Sequence, residues 1–429
     1  MIDTDIKPST YLRLLALVAI LGFVSALITF IFIAAVNILT GLIWGLVEPG
    51  QGLNAGLFTL LVCTLGGLLV GLLVRLFGDH SGIFAEMMQE FGQTGRFNYR
   101  QSPGIVLTAL VSLVCGASLG PEAPMADACG GLGTWVGDRY KLGPQETRTL
   151  GYSGVSGMLA AFITAPLGGA VLGLEAAKGG AGENNKEYFW ILFPSLLASA
   201  VATVVFVLLS GSFFGTLYQF PEYSPSVPDL FYAVPLGALG GVVGLLFVLS
   251  LQLLRRVFLP LKQHLVLRGL LGGLGMGMIG ALLPLTLYSG EDQINDLLTS
   301  AAGIGVAMLI VLAMAKLFAT SLVLATGWKG GYIFPTLFAS VALGLAIQLL
   351  FPRIPLPVTV AATMAGVLVA VLRAPLFSAL FTMVLVQKET AAVIAVAVVS
   401  SALLTTMLAL IQAKRKAHQA PAQPQNAHP

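Results

Sequence analysis

Charge is scarce in this 429-residue chain: Asp, Glu, Lys and Arg together make up 10% of it, and the formal net charge is only +3. Soluble globular domains carry about a quarter charged residues, so a soluble protein is excluded. The basic residues fall in short loops rather than in one stripe, which argues against a nucleic-acid partner. Histidine is rarer still. Of the four, His80, His264, His418 and His428, no two share a metal-ligand spacing, and no metal or other cofactor is expected. The three cysteines, Cys63, Cys115 and Cys129, lie inside apolar stretches and read as small buried hydrophobes rather than a disulfide framework. His80 is the only histidine near the apolar core, so paired catalytic groups at membrane depth are lacking and an enzyme is not expected.

What is abundant is apolar surface and helix breakers. Hydrophobic residues make up 57% of the chain, yet it also holds 50 Gly and 22 Pro. A membrane-crossing helix needs about 20 apolar residues, which leaves room for many passes. Apolar segments recur from 11–46 to 390–413, but 123–136 is too short to cross hydrocarbon and 357–386 is split by Pro375. Interrupted segments point to broken helices lining a protected cavity, because lipid cannot satisfy free backbone groups. The expected fold is an all-α polytopic membrane protein: one transmembrane domain over 1–413, with a short disordered cytoplasmic tail over 414–429. Asp3 and Asp5, followed by an apolar run from Leu12 past Leu39, do not fit a cleaved signal peptide.

Basic loops set the expected orientation. The N-terminus (Lys7, Arg13), 137–148, 255–268 and the tail carry Lys and Arg and are placed in the cytoplasm. The stretches 211–229 and 289–296 carry Glu222, Asp229, Glu291, Asp292 and Asp296 without a basic residue and are placed outside, so both termini are expected to be cytoplasmic. An internal repeat supports two halves, about 11–210 and 230–413. Gly157, Leu159, Ala161, Ala165, Pro166 and Leu167 recur at a constant offset of 209 as Gly366, Leu368, Ala370, Ala374, Pro375 and Leu376, and Pro124 recurs as Pro335 at an offset of 211. Binding sites of repeat-built transporters lie where the halves meet.

Three Gly-punctuated stretches have the pattern of helix starts within this apolar chain: Gly78-Asp79-His80-Ser81-Gly82-Ile83, Gly116 to Pro124, and Gly327 to Pro335. A helix N-terminus presents unpaired N–H donors and about half an elementary positive charge. Several converging at mid-membrane would hold an anion. Together these stretches resemble the chloride channel (CLC) family of anion channels and anion/proton exchangers, as a divergent bacterial branch. The resemblance rests on His80-Ser81-Gly82-Ile83-Phe84, Gly120-Pro121-Glu122-Ala123-Pro124 and Gly331-Tyr332-Ile333-Phe334-Pro335, supported by Ala165-Pro166-Leu167 through Glu175 and by Arg373-Ala374-Pro375-Leu376.

The resemblance implies an inverted repeat of tilted, broken helices, a homodimer with one anion path per subunit, and passage of chloride or a similar anion across the bacterial inner membrane. It makes Glu122 the gate. A lone carboxylate in apolar sequence is costly and functional by default, and it would mimic an anion until protonated. The anion site is expected from Ser81, Gly82, Ile83, Gly120, Ala123, Gly331, Tyr332, Ile333 and Phe334, with Ser81 offering either its hydroxyl to the anion or a helix cap. Lys329 either raises the potential for anions or is a solvated loop lysine. Lys316, inside the segment 300–326, is read as a buried structural partner for a carbonyl or a Glu. Asp127 is a second proton site or a structural acid. Exchangers of the family carry an inner glutamate one residue past the position of Glu175, where this chain has Ala176, and a tyrosine near the end of the last helix, whereas no tyrosine follows Tyr332 here. Channel-like or weakly proton-coupled passage is therefore expected ahead of strict chloride or fluoride antiport. Glu175 is read as structural before relay. A non-conducting scaffold and a cation transporter are the rivals.

Overall fold

The computed structural model describes residues 8–46, 52–80, 82–177, 188–211 and 218–419. Among them run sixteen α-helices: α1 (Pro8–Trp44), α2 (Gly52–Phe77), α3 (Phe84–Thr94), α4 (Ser102–Val114), α5 (Glu122–Arg139), α6 (Pro144–Ile163), α7 (Pro166–Ala177) and α8 (Phe193–Ser210) in the first half. The second half contains α9 (Val227–Val257), α10 (Leu265–Leu282), α11 (Glu291–Ile304), α12 (Val306–Ala325), α13 (Ile333–Leu350), α14 (Leu356–Leu372), α15 (Pro375–Leu385) and α16 (Ala391–Gln419). Eight helical stretches are long and apolar enough to cross a membrane, while α3, α5, α7, α11, α14 and α15 are not among them.

The two sets of eight repeat each other. α1 packs on α6 and α8 as α9 packs on α14 and α16; α5 packs on α6 as α13 does on α14; α2 packs on α4 as α10 does on α12. Local chemistry repeats too. Thr164 and Arg373, at the 209 offset, both take the left-handed backbone (φ 48° and 55°) just before Pro166 and Pro375 start α7 and α15. Proline suits a helix start because its missing N–H would be unpaired there anyway. The halves are joined by α2 against α10, where glycines let the backbones touch. A Cβ on Gly67 would stand 2.4 Å from the Gly269 carbonyl oxygen. In lipid such close approach replaces hydrophobic burial as the cohesive force.

Charged loops sort to two ends. At one, Arg13 lies over the Tyr140 ring, Arg96 pairs with Asp138 and Arg255 with Glu86. At the other, Trp44 meets Tyr288, and the Tyr218 hydroxyl donates to the Glu291 carbonyl. Arg13 and Trp44 stand near the two ends of the 37-residue α1, so these two groups of contacts are well separated.

Three features depart from the sequence reading. The segment 300–326 is not one helix: Gly305 (φ 79°) separates α11 from α12. Gly303 and Gly305 in an otherwise apolar run give little warning of a break. Arg268, counted among loop residues, sits in the first turn of α10 and is 8% exposed. α16 continues to Gln419, past the start of the expected tail, and residues 420–429 lie outside the described residues.

Candidate functional site

The two turns that precede α5 and α13 are bonded to each other. Gly120 N–H donates to the Gly331 carbonyl (2.9 Å) and Gly331 N–H to the Gly120 carbonyl (2.6 Å), an isolated antiparallel bridge between the halves. Glu122, the first residue of α5, folds back between these glycines. Cβ atoms there would stand 2.0 Å from Glu122 Oε2 at Gly120 and 2.0 Å from its Cδ at Gly331. Only glycine leaves room for the carboxylate. Its Oε1 accepts the Ile333 N–H at 2.6 Å, so a carboxylate from one half fills the helix N-terminus of the other. Oε2 has no hydrogen-bond partner, and the residue is 1% exposed. Ala123 (2% exposed) and Phe334 (1%) pack around it.

The third helix start meets the same region from the basic end. Ile83 caps α3 in an extended conformation (φ −101°, ψ 124°). Ser81 lies outside the described residues. Gly82 packs on Lys329, whose Cδ would stand 2.7 Å from a Cβ there. Lys329 is not the solvated lysine that its loop position allows: it is 5% exposed, its Nζ contacts the His80 carbonyl, and it lies 3.4 Å from Asp79 Oδ1. Arg268 Nη2 takes the other Asp79 oxygen at 2.6 Å. Burial works to raise the Asp79 carboxyl, yet the neighbouring Lys329 and Arg268 hold it below the ordinary carboxylate value. Two cations thus share one carboxylate directly behind the α3 turn, leaving a positive excess there. Asp79 and Arg268 were not singled out from sequence. The one signal for Asp79 was its place in the Gly78-Asp79-His80 lead-in.

Two cavities lie near Glu122. One, about 640 Å³, is lined by Leu119, Pro121, Phe162, Tyr288, Glu291 and Asp292. The other, about 490 Å³, is lined by Ile83, Glu175, Phe247, Arg255, Tyr332 and Arg373. Between them lie Glu122 and the edge-to-face pair Phe162–Phe334, with ring centroids 4.8 Å apart. The Tyr332 hydroxyl accepts the Ala85 N–H in the first turn of α3.

Other predicted residues separate from this centre. Glu175 caps a helix: its two oxygens accept the Leu376 N–H (2.8 Å) and Phe377 N–H (2.9 Å) at the start of α15. The side chain of Ala176 lies outside the described residues. Lys316, 0% exposed, donates to the carbonyls of Thr286, Leu287 and Tyr288 at 3.0, 2.8 and 2.9 Å, as its structural reading expects. One turn on, Thr320 donates to the Ser118 carbonyl at 2.9 Å, so α12 clamps both the 286–288 and the 116–120 turns. Asp127 lines a separate cavity beside His80. The three cysteines are free and buried.

Comparison with known proteins agrees with this geometry. The family described as voltage gated chloride channel matches residues 66–406. "Putative ion-transport protein YfeO" of Escherichia coli (strain K12 / DH10B) is 27% identical over 358 residues, covering 81% of this chain and 82% of that protein. Among solved structures, a slow cyanobacterial Cl-/H+ antiporter superposes with a TM-score of 0.79 at 21% identity, over 99% of this chain and 100% of that one. A CLC-type fluoride/proton antiporter gives 0.77 at 18% identity, over 94% and 98%. These two share the fold. The family match spans most of the chain, and the chain belongs to the voltage gated chloride channel family.

Proposed function

We propose that this protein passes a small inorganic anion, chloride ahead of fluoride, through one path per subunit, with Glu122 as the gate. The observation that carries this is the Glu122 carboxylate held by the Ile333 N–H at 2.6 Å between two cavities. A carboxylate in an anion's seat competes with the anion for helix-end donors, and protonation removes the competitor. Ser81, Gly82 and Ile83 would serve the anion's inner approach, with Gly331, Tyr332, Ile333 and Phe334 from the other half. The positive excess of Lys329 and Arg268 over Asp79 favours anions over cations on that approach. Tyr332 would close the inner side, a part that no later tyrosine can supply in this chain.

The basic ends, facing the cytoplasm of a bacterial inner membrane, would carry both termini. A homodimer embedded in the lipid bilayer follows from the family resemblance alone. Channel-like passage suits the cap role of Glu175. Coupled exchange is the second reading, favoured by the separate buried carboxylate of Asp127 and in keeping with the two fold neighbours, a Cl-/H+ antiporter and a fluoride/proton antiporter.

Proteoliposomes loaded with chloride or fluoride test the proposal. Efflux from wild type that rises with acidity, and that loses this dependence in Glu122→Gln, is the expected result. No flux of either anion from wild type, with Glu122→Ala equally silent, would leave a non-conducting scaffold. Flux of potassium or sodium in place of the anions would make it a cation transporter.

A further inference from the structure

Three charged side chains meet behind the turn that starts α3, and their charges do not balance. Asp79 is the shared partner of Arg268, from the first turn of α10, and of Lys329, from the turn before α13. Among the described residues neither cation pairs with a second acid. Two cations against one acid leave a single positive charge in excess, and it is held away from bulk water: the Arg268 and Lys329 side chains are 9% and 6% exposed. A buried charge left without a partner is strongly destabilising. The cluster is short of one monovalent anion.

Donors are unspent as well. Arg268 donates from Nη2 to Asp79, but its Nε is buried with no hydrogen-bond partner. Lys329 Nζ reaches the His80 carbonyl and Asp79, and an ammonium has a further donor to give. Both cations are fixed by contacts that do not involve Asp79. The Lys329 N–H donates to Ser112 Oγ on α4 at 3.2 Å, and the neighbouring Trp328 Nε1 donates to the Gly269 carbonyl on α10 at 3.2 Å. Arg268 lies against the turn at Gly327, where a Cβ would stand 2.6 Å from its Nη2. The Asp79 side chain, by contrast, is 32% exposed, so the acid is the member of the cluster that solvent reaches.

We infer that Arg268 and Lys329 form a second seat for a small inorganic anion, apart from the helix end that Glu122 fills, and that Asp79 limits how tightly the seat holds it. The inference takes its ligand from the proposed anion passage, on which it rests, and adds a seat of side-chain cations to one of backbone donors. A monovalent anion there brings the cluster to neutrality. Without Asp79 the same anion would face two unpaired cations and leave slowly. The anion would also offset burial, which pushes the Lys329 ammonium down. Gly82, on the proposed approach of the anion, packs on the Lys329 side chain, so the seat adjoins that approach.

Isothermal titration of chloride into the purified full chain, at constant ionic strength, tests the seat by counting charge. Lys329→Met removes the excess charge and is expected to weaken chloride binding about tenfold or more, while Asp79→Asn doubles the excess and is expected to tighten it by a similar factor. Asp79→Asn combined with Lys329→Met restores the wild-type count, and Lys329→Arg never alters it. Both are expected to bind within about threefold of wild type. Affinities within about twofold of wild type in both Lys329→Met and Asp79→Asn overturn the inference. So does a double variant that binds no better than Lys329→Met, or a loss in Lys329→Arg as large as in Lys329→Met, because shape and not charge would then govern binding. Chloride that binds in the expected order but does not cross proteoliposomes upholds the seat and refutes the proposed passage. Chloride flux without that order refutes the seat alone.

Discussion

Truncating Glu122 to alanine should tighten anion binding rather than weaken it. The carboxylate occupies the N-terminus of α13 through the Ile333 N–H at 2.6 Å, and a free anion must displace it. A hydrogen bond to a charged acceptor contributes about 1.5–3 kcal/mol net. With about 1.4 kcal/mol for each factor of ten, removing the competitor raises affinity about 10- to 150-fold. The vacated space is bounded by Gly120 and Gly331, so no neighbouring side chain from either takes the place of the carboxylate. Glu122→Gln, which keeps the shape but only a neutral acceptor, should fall between wild type and Glu122→Ala. Isothermal titration of chloride and of fluoride into purified protein at fixed pH reads the change directly. Affinities in Glu122→Ala within twofold of wild type for both anions would refute the reasoning, because the carboxylate would then not be competing for the anion's donors.

Lys316→Met leaves three carbonyls without their donor and should cost about 3–5 kcal/mol, read by thermal unfolding in detergent; a loss below about 1 kcal/mol would mean the turns are held otherwise. Glu291, outside the eight spans, has its carboxyl pushed from 4.5 up to about 8 by burial and by the charges of Asp292 and Glu122. The folded protein therefore holds this proton more tightly than the unfolded chain, so its stabilising effect is complete below about 4.5 and is lost as pH rises through about 8. Glu291→Gln should flatten that part of a stability-versus-pH curve, and an unaltered curve would count against it. Glu175→Gln keeps an acceptor but loses the charge at the start of α15, so about 1 kcal/mol of stability should go while protons moved per anion stay the same; a lost proton flux would make Glu175 a relay.

The parts of the site that were legible in the sequence are those written in backbone chemistry. Glycine and proline announced the turns before α3, α5 and α13, because few other residues suit a helix start packed against a second backbone, and a lone acid beside them marked Glu122. Side-chain pairings were not legible. Asp79 meets Arg268 across 189 residues and Lys329 across 250, and nothing local to any of the three records the others. Glu175 reads as a helix-terminal acid, but the helix it caps is not its own: it begins about 200 residues later. Lys316 was the exception. A lysine deep in an apolar helix has few options, and carbonyls of a neighbouring turn are among the cheapest.

The bridge between Gly120 and Gly331 bears on how such a chain could have arisen. The two glycines lie 211 residues apart, as do Glu122 and Ile333, so the acid and the donor that holds it occupy equivalent places in the two repeats. An ancestor assembled from two identical half-length chains would have carried the same residue at both places. An acid at both would have set two like charges face to face; an apolar residue at both would have left the donors open, with no stopper. Fusion of two such halves into one gene would free each copy to diverge, and a single substitution in one of them would then suffice to set an acid in one half against a donor in the other.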